Sequence, residues 1–163
     1  MQTIEVQVRR VSVVSSKPFE EVLGGLTQAI GQPDMNAFLS AMSAAPTIAD
    51  LEDVVHGAVG SSGLMEFARF DIGEVLRKEQ GGSRQSIRLV VGNPVIMKEM
   101  AKTVPDVASY APTTILIDER DDGVHISYDS MASLLAPYGS EAALRVARDL
   151  DAKVERLIET ASR

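Results

Sequence analysis

The fold of this chain is decided by one stretch, residues 113–128, which reads TTILIDERDDGVHISY. An apolar run is followed by Asp121-Asp122-Gly123 and then by a second run in which apolar and polar residues alternate. A short Asp-Gly loop between two such runs is a strong signal for a β-hairpin. The stretch therefore predicts antiparallel strands at residues 113–119 and 124–128.

Three further strands are predicted outside the hairpin, at residues 3–14, 64–70 and 85–91. In the first of them apolar and polar residues alternate from Ile4 to Val8, which is typical of a strand with one buried face. No basic segment followed by an apolar run precedes it, so a signal peptide is not expected. A loop is predicted at Gln80 to Ser83, between the last two of these strands.

Helices are predicted where apolar residues recur every three or four positions behind a capping residue. They follow Ser16, Asp34, Thr47, Asp71, Asn93, Ser130 and Ser140. The first is expected to end at Gly31 and contains Gly24-Gly25, which indicates either a close packing contact or a locally weak helix. The helices within residues 32–60 have short stripes, which indicates a helical insertion. Only one pair of predicted strands is joined by a tight hairpin, and the other connections are longer. This pattern predicts an α+β fold. The length of the chain predicts a single domain, residues 1–163.

Composition excludes several classes of function. The chain has 163 residues, 2 His and no Cys, so disulfides, thiolate metal centres and a cysteine nucleophile are excluded. Its 16 Lys and Arg against 23 Asp and Glu give a net charge of −7, which disfavours a nucleic-acid partner. The apolar runs are far shorter than the ~20 residues that span a bilayer. We therefore expect a cytoplasmic protein with neither a nucleic-acid nor a membrane partner.

The familiar motifs of catalysis and cofactor binding are missing from the sequence. It contains neither a Walker A motif nor Gly-x-Gly-x-x-Gly. His56 and His125 are far apart, and neither has a neighbour at metal-ligand spacing. The stretch Gly60-Ser61-Ser62-Gly63 lacks the spacing of a nucleophile elbow, so a linker turn is the favoured interpretation. No cofactor and no metal are expected.

The stretch Gly92-Asn93-Pro94 has two interpretations. Asn93 is a good N-cap, and Pro94 suits the first helical position because its missing N–H would have no partner there. Capping is the favoured interpretation. The same geometry also directs free N–H groups outward at a helix N-terminus, where an anion can bind.

The strand phases divide the predicted sheet into two faces. The apolar face, which must meet the helices, collects Met65, Phe67, Ile87, Leu89, Val91, Ile115, Ile117, Val124, Ile126 and Tyr128. The semi-polar face collects Glu66, Ala68, Phe70, Arg88, Val90, Leu116, His125 and Ser127. This second face is covered by a partner subunit, binds a small molecule or is solvated, and a two-fold dimer is the favoured alternative.

Several motifs together resemble a known family. They are Phe67 to Gly73, Val91 to Pro94 with Met97, Ala111-Pro112, Gly123 to Asp129, and the helical segment Val146 to Asp151. This combination resembles the bacterial and archaeal family called domain of unknown function 302, over about residues 60–161. The resemblance implies a mostly antiparallel sheet with helices packed on one face, similar to the TATA-binding-protein-like β-α-β4-α arrangement. It implies no activity, and the likeness to a DNA-binding fold is one of architecture only.

The leading hypothesis is a binding or interaction domain that forms a homodimer through its sheet and binds a small ligand. Its candidate ligand-binding residues are Asn93, Glu66, Arg88, His125 and Tyr128. The alternative is a small enzyme in which His125, Arg88 and Glu66 act on the semi-polar face, with Tyr128 or Asn93 orienting the substrate. A pocket in which His125 and Arg88 converge would favour the enzyme.

Overall fold

Over residues 3–80 and 84–163, which the computed structural model describes, the chain forms five strands and seven α-helices. The strands are β1 (Arg10–Ser15), β2 (Met65–Asp71), β3 (Ser86–Gly92), β4 (Thr113–Arg120) and β5 (Gly123–Asp129). The helices are α1 (Phe19–Ala29), α2 (Met35–Ala44), α3 (Ile48–Ala58), α4 (Ile72–Gln80), α5 (Pro94–Ala101), α6 (Met131–Leu135) and α7 (Glu141–Ser162). The predicted α+β class is confirmed, whereas most of the predicted loop at Gln80 to Ser83 lies outside the described residues.

All strands belong to one antiparallel sheet with the order β1-β5-β4-β3-β2. The predicted hairpin joins β4 to β5, with Arg120 paired to Gly123 across the turn. Gly123 has a φ of 137°, a backbone conformation that side chains with a Cβ rarely adopt. The central hairpin was therefore readable from its turn residues alone.

The predicted first strand is wrong at its beginning. The ladder starts at Arg10 rather than near residue 3, and Ile4 and Val8 are exposed. Because β1 pairs only with β5, it can extend only as far as its partner, and Arg10 already lies opposite Asp129 at the end of that strand. Alternation of apolar residues shows which strands are possible, but a neighbouring strand is needed to satisfy the backbone N–H and C=O groups.

The main core lies between one face of the sheet and the helices α1 and α7. Ile115, Ile117 and Ile126 from the central strands are completely buried, as are Val22 and Leu26 of α1 and Val154 of α7. The helical stripe predicted for α7 is confirmed, because every buried position of this helix except Asp151 is apolar. The other surface of the sheet is called the open face below and includes Ser12, Val14, Phe70, Arg88, Leu116 and His125 by strand register.

The two adjacent glycines of α1 have different surroundings. A Cβ on Gly25 would lie 3.3 Å from the Cα and Cβ of Ala161, at the crossing of α1 and α7. A Cβ on Gly24 would meet no atom within 4 Å. Close helix packing therefore explains Gly25, whereas nothing in the structure explains Gly24.

The predicted helical segment at residues 32–60 is present as α2 and α3. Asp34 and Thr47 cap these helices, and Thr47 forms a reciprocal capping box with Asp50. Their apolar sides enclose a small second core of Phe38, Val55 and Met65. Both helices thus pack around the first residue of β2.

Candidate functional site

An apolar pocket lies between the ends of β2 and β3, helix α5 and the segment before β4. We call it the α5 pocket, and its walls include Phe67, Gly92, Met97, Pro112 and Leu150. Its volume is about 120 Å³. Apolar side chains from five parts of the chain therefore enclose a space that the core does not fill.

Local sequence explains how the wall formed by α5 is held in place. The Asn93 carboxamide oxygen accepts hydrogen bonds from the backbone N–H groups of Val95 (2.8 Å) and Ile96 (3.3 Å). Its Nδ2 donates to the carbonyl of Gly63 at 2.9 Å. The predicted capping role of Asn93 is confirmed, and its side chain ties the start of α5 to the turn before β2.

Gly92 lines the α5 pocket at a point where there is no room for a side chain. A Cβ on this residue would lie 3.1 Å from the Cβ of Pro112 and 3.5 Å from Cε2 of Phe67. Both neighbours are pocket walls, so even a methyl group would project between them. This role of Gly92 depends on Pro112 and Phe67, which are distant in the sequence, so the local Gly-Asn-Pro pattern does not reveal it.

The chemistry that the pocket can offer follows from its lining. None of the twelve described residues that line it has a titratable side chain, and only Asn93 and Thr113 are polar. Without an acid, a base or a charge, the pocket offers shape, dispersion and the polarizable sulfurs of Met97 and Met100. It is suited to binding an apolar molecule rather than to acid–base catalysis.

His125 and Arg88, two of the predicted site residues, both lie on the open face but do not converge. They belong to β5 and β3, which are separated by β4, so the strands alone hold them about 10 Å apart. His125 is 8% exposed, and its Nε2 lies 2.7 Å from Oδ1 of Asp122. The hydrogen bond to His125 is the main reason why the pKa of the Asp122 carboxyl is lowered. Arg88 instead lies over the ring of Phe70, with its Cζ 6.0 Å from the centroid.

The placement of Glu66 on the same face as His125 and Arg88 was wrong. A β-bulge interrupts β2 between Glu66 and Ala68, so Glu66 lies opposite Val91 of the core side while Ala68 lies opposite Val90. A single extra residue in one strand reverses the face of everything beyond it. Glu66 forms a bidentate pair with Arg69, with distances of 2.8 and 3.0 Å.

Tyr128 lies on the core side of β5 and is 1% exposed. Its hydroxyl donates to Oδ1 of Asp151 at 2.6 Å. Burial, and then the charge of Asp151, raise the pKa of the phenol well above its usual value. Tyr128 is therefore held inside the protein, away from the open face on which a substrate was expected to lie.

Asp151 is a buried carboxylate that no sequence motif singled out. It is 5% exposed, and besides Tyr128 it accepts hydrogen bonds from Ser130 Oγ (2.6 Å), Met131 N (2.7 Å) and Ala132 N (3.2 Å). These donors lie at the end of β5 and the start of α6, and together they fill the hydrogen-bonding capacity of the α7 carboxylate. A signal was present in the sequence, because Asp151 stands on the apolar stripe of α7, four residues after the buried Ala147.

Comparison with known proteins places the chain in a family. The sequence pattern of the family described as "Domain of unknown function DUF302" matches residues 40–161. The chain belongs to the DUF302 family. It is also similar to the crystal structure of an uncharacterized conserved DUF302 protein from Bacillus stearothermophilus, with a TM-score of 0.65 at 15% identity over 94% of this chain and 98% of the other. No curated protein matches the sequence.

Most of the motifs that resemble DUF302 contribute residues to the α5 pocket, although Gly123 to Asp129 does not. Phe67, Asn93, Met97 and Pro112 belong to three separate stretches of sequence, and all four line the pocket. The resemblance and the cavity therefore point to the same place in this DUF302 chain. The likeness to the TATA-binding-protein fold stays a prediction.

Two further observations bear on the kind of site that this DUF302 chain offers. Within residues 3–80 and 84–163, no three His, Asp or Glu side chains gather in a way that could hold a metal ion. Over the same ranges, no helix combines the length and the apolar character needed to cross a bilayer. The cytoplasmic location stays a prediction from the sequence.

Proposed function

We propose that this chain is a binding domain that holds a small apolar molecule in the α5 pocket. The observation that carries the proposal is a cavity of about 120 Å³ whose walls are almost entirely apolar. Apolar protein cavities of about 150 Å³ stay dry and bind benzene. The α5 pocket therefore has the size for a ligand of about one aromatic ring.

The surroundings of the pocket support a preformed site. Asn93 fixes the start of α5 through three hydrogen bonds, and Phe67 packs edge-to-face on Phe38 with ring centroids 6.5 Å apart. A wall that is already rigid loses little entropy when a ligand enters. Met97 and Met100 supply the adaptable part of the lining, because methionine side chains adjust to irregular shapes.

The first prediction concerns the pocket itself. Titration with benzene should give saturable chemical-shift changes at the amides of Thr113 and Met97, and it should raise the melting temperature because the ligand binds only the folded chain. Gly92→Ala should weaken benzene binding at least about tenfold, since the added methyl group enters the space between Pro112 and Phe67.

The matched control for this experiment is Gly57→Ala, whose new methyl group meets no atom within 4 Å. This variant should bind benzene like the unmodified protein. Shift changes confined to residues far from α5, or equal affinity of the Gly92→Ala variant and the unmodified protein, would show that the pocket is not the binding site.

We propose as a second function that the open face joins two copies of the chain. The observation in favour is the exposure of apolar side chains at both edges of this face, where Val14 is 50% and Phe70 49% exposed. Leu116 lies half-buried on the strand between them. Burial of such a surface against a partner removes apolar area from water.

Charge favours a second copy as the partner. Arg88 forms no ion pair within the described residues and lies on the β3 side of the open face, whereas Asp118, paired with Arg120, and Asp122, hydrogen-bonded to His125, lie on the β4 and β5 side. A two-fold axis parallel to the strands places the β3 side of one copy over the β5 side of the other. Arg88 of each copy then approaches Asp118 and Asp122 of the other copy. The two-fold symmetry makes this favourable contact occur twice in the dimer.

The second prediction tests this dimer. In sedimentation velocity the protein should have the mass of a dimer. Arg88→Glu should weaken association at least about tenfold and shift the protein toward the monomer, because a glutamate from each copy would then face the carboxylates of the other. Arg145→Glu, an equal charge reversal on the exposed side of α7, should leave the dimer intact. A monomeric unmodified protein, or equal effects of the two reversals, would contradict the proposal.

A further inference from the structure

A second cavity lies between α1, α7 and the turn at residues 60–63. We call it the α7 groove. It has a volume of about 330 Å³, and its polar lining consists of Ser61, Ser62, Lys153, Arg156 and Thr160. It shares no residue with the α5 pocket.

The charge in this groove is unusual for an acidic chain. Most of the 16 Lys and Arg side chains form ion pairs with Asp or Glu. In the part of the chain that the structure describes, neither Lys153 nor Arg156 has a carboxylate within 4 Å. They stand three residues apart on α7, so two like charges are neighbours on one helical face. Two uncompensated cations therefore face one cavity in a chain with a net charge of −7.

The opposite wall supplies rigid polar groups. Ser62 is tied to the carbonyl of Ala29 through its N–H (3.0 Å) and its hydroxyl (2.8 Å), and Gly63 N donates to Gly60 O at 2.9 Å to close the turn. Ser61, at the exposed tip, forms no hydrogen bond with any residue that the structure describes. Ser61 lines the groove, so its exposed hydroxyl and N–H are available to a ligand there.

This set of groups matches a phosphate better than a carboxylate. The lysine ammonium is a compact charge, and the arginine guanidinium is a planar group with several N–H donors. Together they can bind different oxygens of one tetrahedral anion. A serine hydroxyl and a turn N–H are also common phosphate donors. The volume of the groove lies within the range of small-molecule sites, so space remains for the organic part of a monoester.

We propose that the α7 groove binds the phosphate group of a small phosphorylated molecule, with Lys153 and Arg156 as the cationic contacts and Ser61 as a hydrogen-bond donor. The site does not depend on a ligand in the α5 pocket or on the dimer. Two sources share this chemistry, namely inorganic phosphate and an organic phosphate monoester.

The experiment is a calorimetric titration at low salt with inorganic phosphate in one arm and glycerol 3-phosphate in the other. Both anions should bind saturably, and tighter binding of glycerol 3-phosphate would identify the monoester as the source. Lys153→Gln and Arg156→Gln should each raise the dissociation constant at least about tenfold, as expected for the loss of one charged hydrogen bond.

Arg145→Gln is the matched control, because it removes the same charge from an exposed part of α7 outside the groove. It should leave the affinity unchanged. In the unmodified protein, phosphate should shift the amide resonance of Ser61, which keeps the test decisive even if a variant folds poorly. The proposal is overturned by absence of saturable binding of both anions, by an equal effect of Arg145→Gln, or by a Ser61 resonance that does not move.

Discussion

Replacing Asp151 with alanine is expected to lower the free energy of unfolding by about 4 kcal/mol, because buried donors that lose their only strong acceptor cost about 1–3 kcal/mol each. The carboxylate accepts hydrogen bonds from Tyr128, Ser130, Met131 and Ala132. Alanine at this position leaves the four donors without their carboxylate acceptor. Water cannot easily replace it, because the Asp151 side chain is only 5% exposed. Urea denaturation of both proteins measures the difference.

The reason for so large an effect is that one side chain joins three elements. Asp151 belongs to α7, Tyr128 to β5, and Met131 begins α6. The carboxylate therefore acts as an N-terminal cap for α6 supplied from a distant part of the chain. Its removal frees the start of α6 as well as the Tyr128 hydroxyl.

Two companion variants make this prediction specific. Asp149→Ala removes an exposed carboxylate two residues earlier on α7 and should change stability by less than about 0.5 kcal/mol. Asp151→Asn should be intermediate, since one amide oxygen still accepts while the new NH₂ group faces donors. Equal stability of the Asp149→Ala and Asp151→Ala variants would show that the buried hydrogen bonds contribute nothing.

Gly31→Ala is expected to destabilise the protein by about 3 kcal/mol, the upper range for forcing extra atoms into a packed interior. A Cβ at this position would overlap the carbonyl oxygen of Ala58 and lie 2.7 Å from the nitrogen of Gly60. These are backbone atoms, so no side-chain rotation can relieve the contact. The two chain segments must move apart.

Their separation would also break hydrogen bonds at the crossing. Gly31 donates its N–H to Leu64 O at 2.9 Å, and Glu66 donates to Gly31 O at 2.8 Å. Gly60 N donates to the same Leu64 carbonyl at 2.9 Å. The crossing therefore links the end of α1, the end of the α2–α3 segment and the start of β2.

The control for Gly31 is the same substitution in open space. Gly24→Ala adds a methyl group that meets no atom within 4 Å, and within α1 it should stabilise the protein by about 1 kcal/mol. Thermal or urea unfolding should thus give opposite signs for the two variants. A Gly31→Ala protein as stable as the unmodified chain would mean that the crossing is not tight in solution.

The sequence analysis succeeded where neighbouring residues decide the structure. Asp34, Thr47, Asn93 and Ser140 were expected to cap helices, and each accepts a hydrogen bond from a backbone N–H of its own helix. The expectation for Ser16 was wrong, because α1 begins at Phe19 with Pro18 as its N-cap and no side-chain capping bond. The Asp-Asp-Gly hairpin likewise depends on residues close together in the chain. Such signals are readable because donor and acceptor are only two or three residues apart.

Gly31 shows where the same reasoning fails. It was expected to end α1 as a C-terminal glycine, but the helix ends at Ala29 and its C-cap is Ile30. Gly31 does not adopt a positive φ, so its backbone conformation is one that other residues also reach. What excludes a side chain there is Ala58, a residue far away in the sequence.

The predicted site residues illustrate the same limit. A strict two-residue period placed Glu66 beside Arg88, and the bulge after Glu66 put it on the other side of the sheet. Tyr128 was correctly assigned to the apolar face, which takes it away from the open face where a substrate was expected to lie. Neither the bulge nor the acceptor of the Tyr128 hydroxyl follows from local pattern.

By itself, the sequence determined the α+β class, the central hairpin, most of the helix caps and the apolar stripe of α7, because these depend on local hydrogen bonds and on residue spacing along one element. Only the tertiary structure decided the rest: the α5 pocket, the α7 groove, the Gly31 crossing and the donors around Asp151. Each of these consists of groups brought together from distant segments, and their meeting depends on strand register and helix packing rather than on any one stretch of sequence.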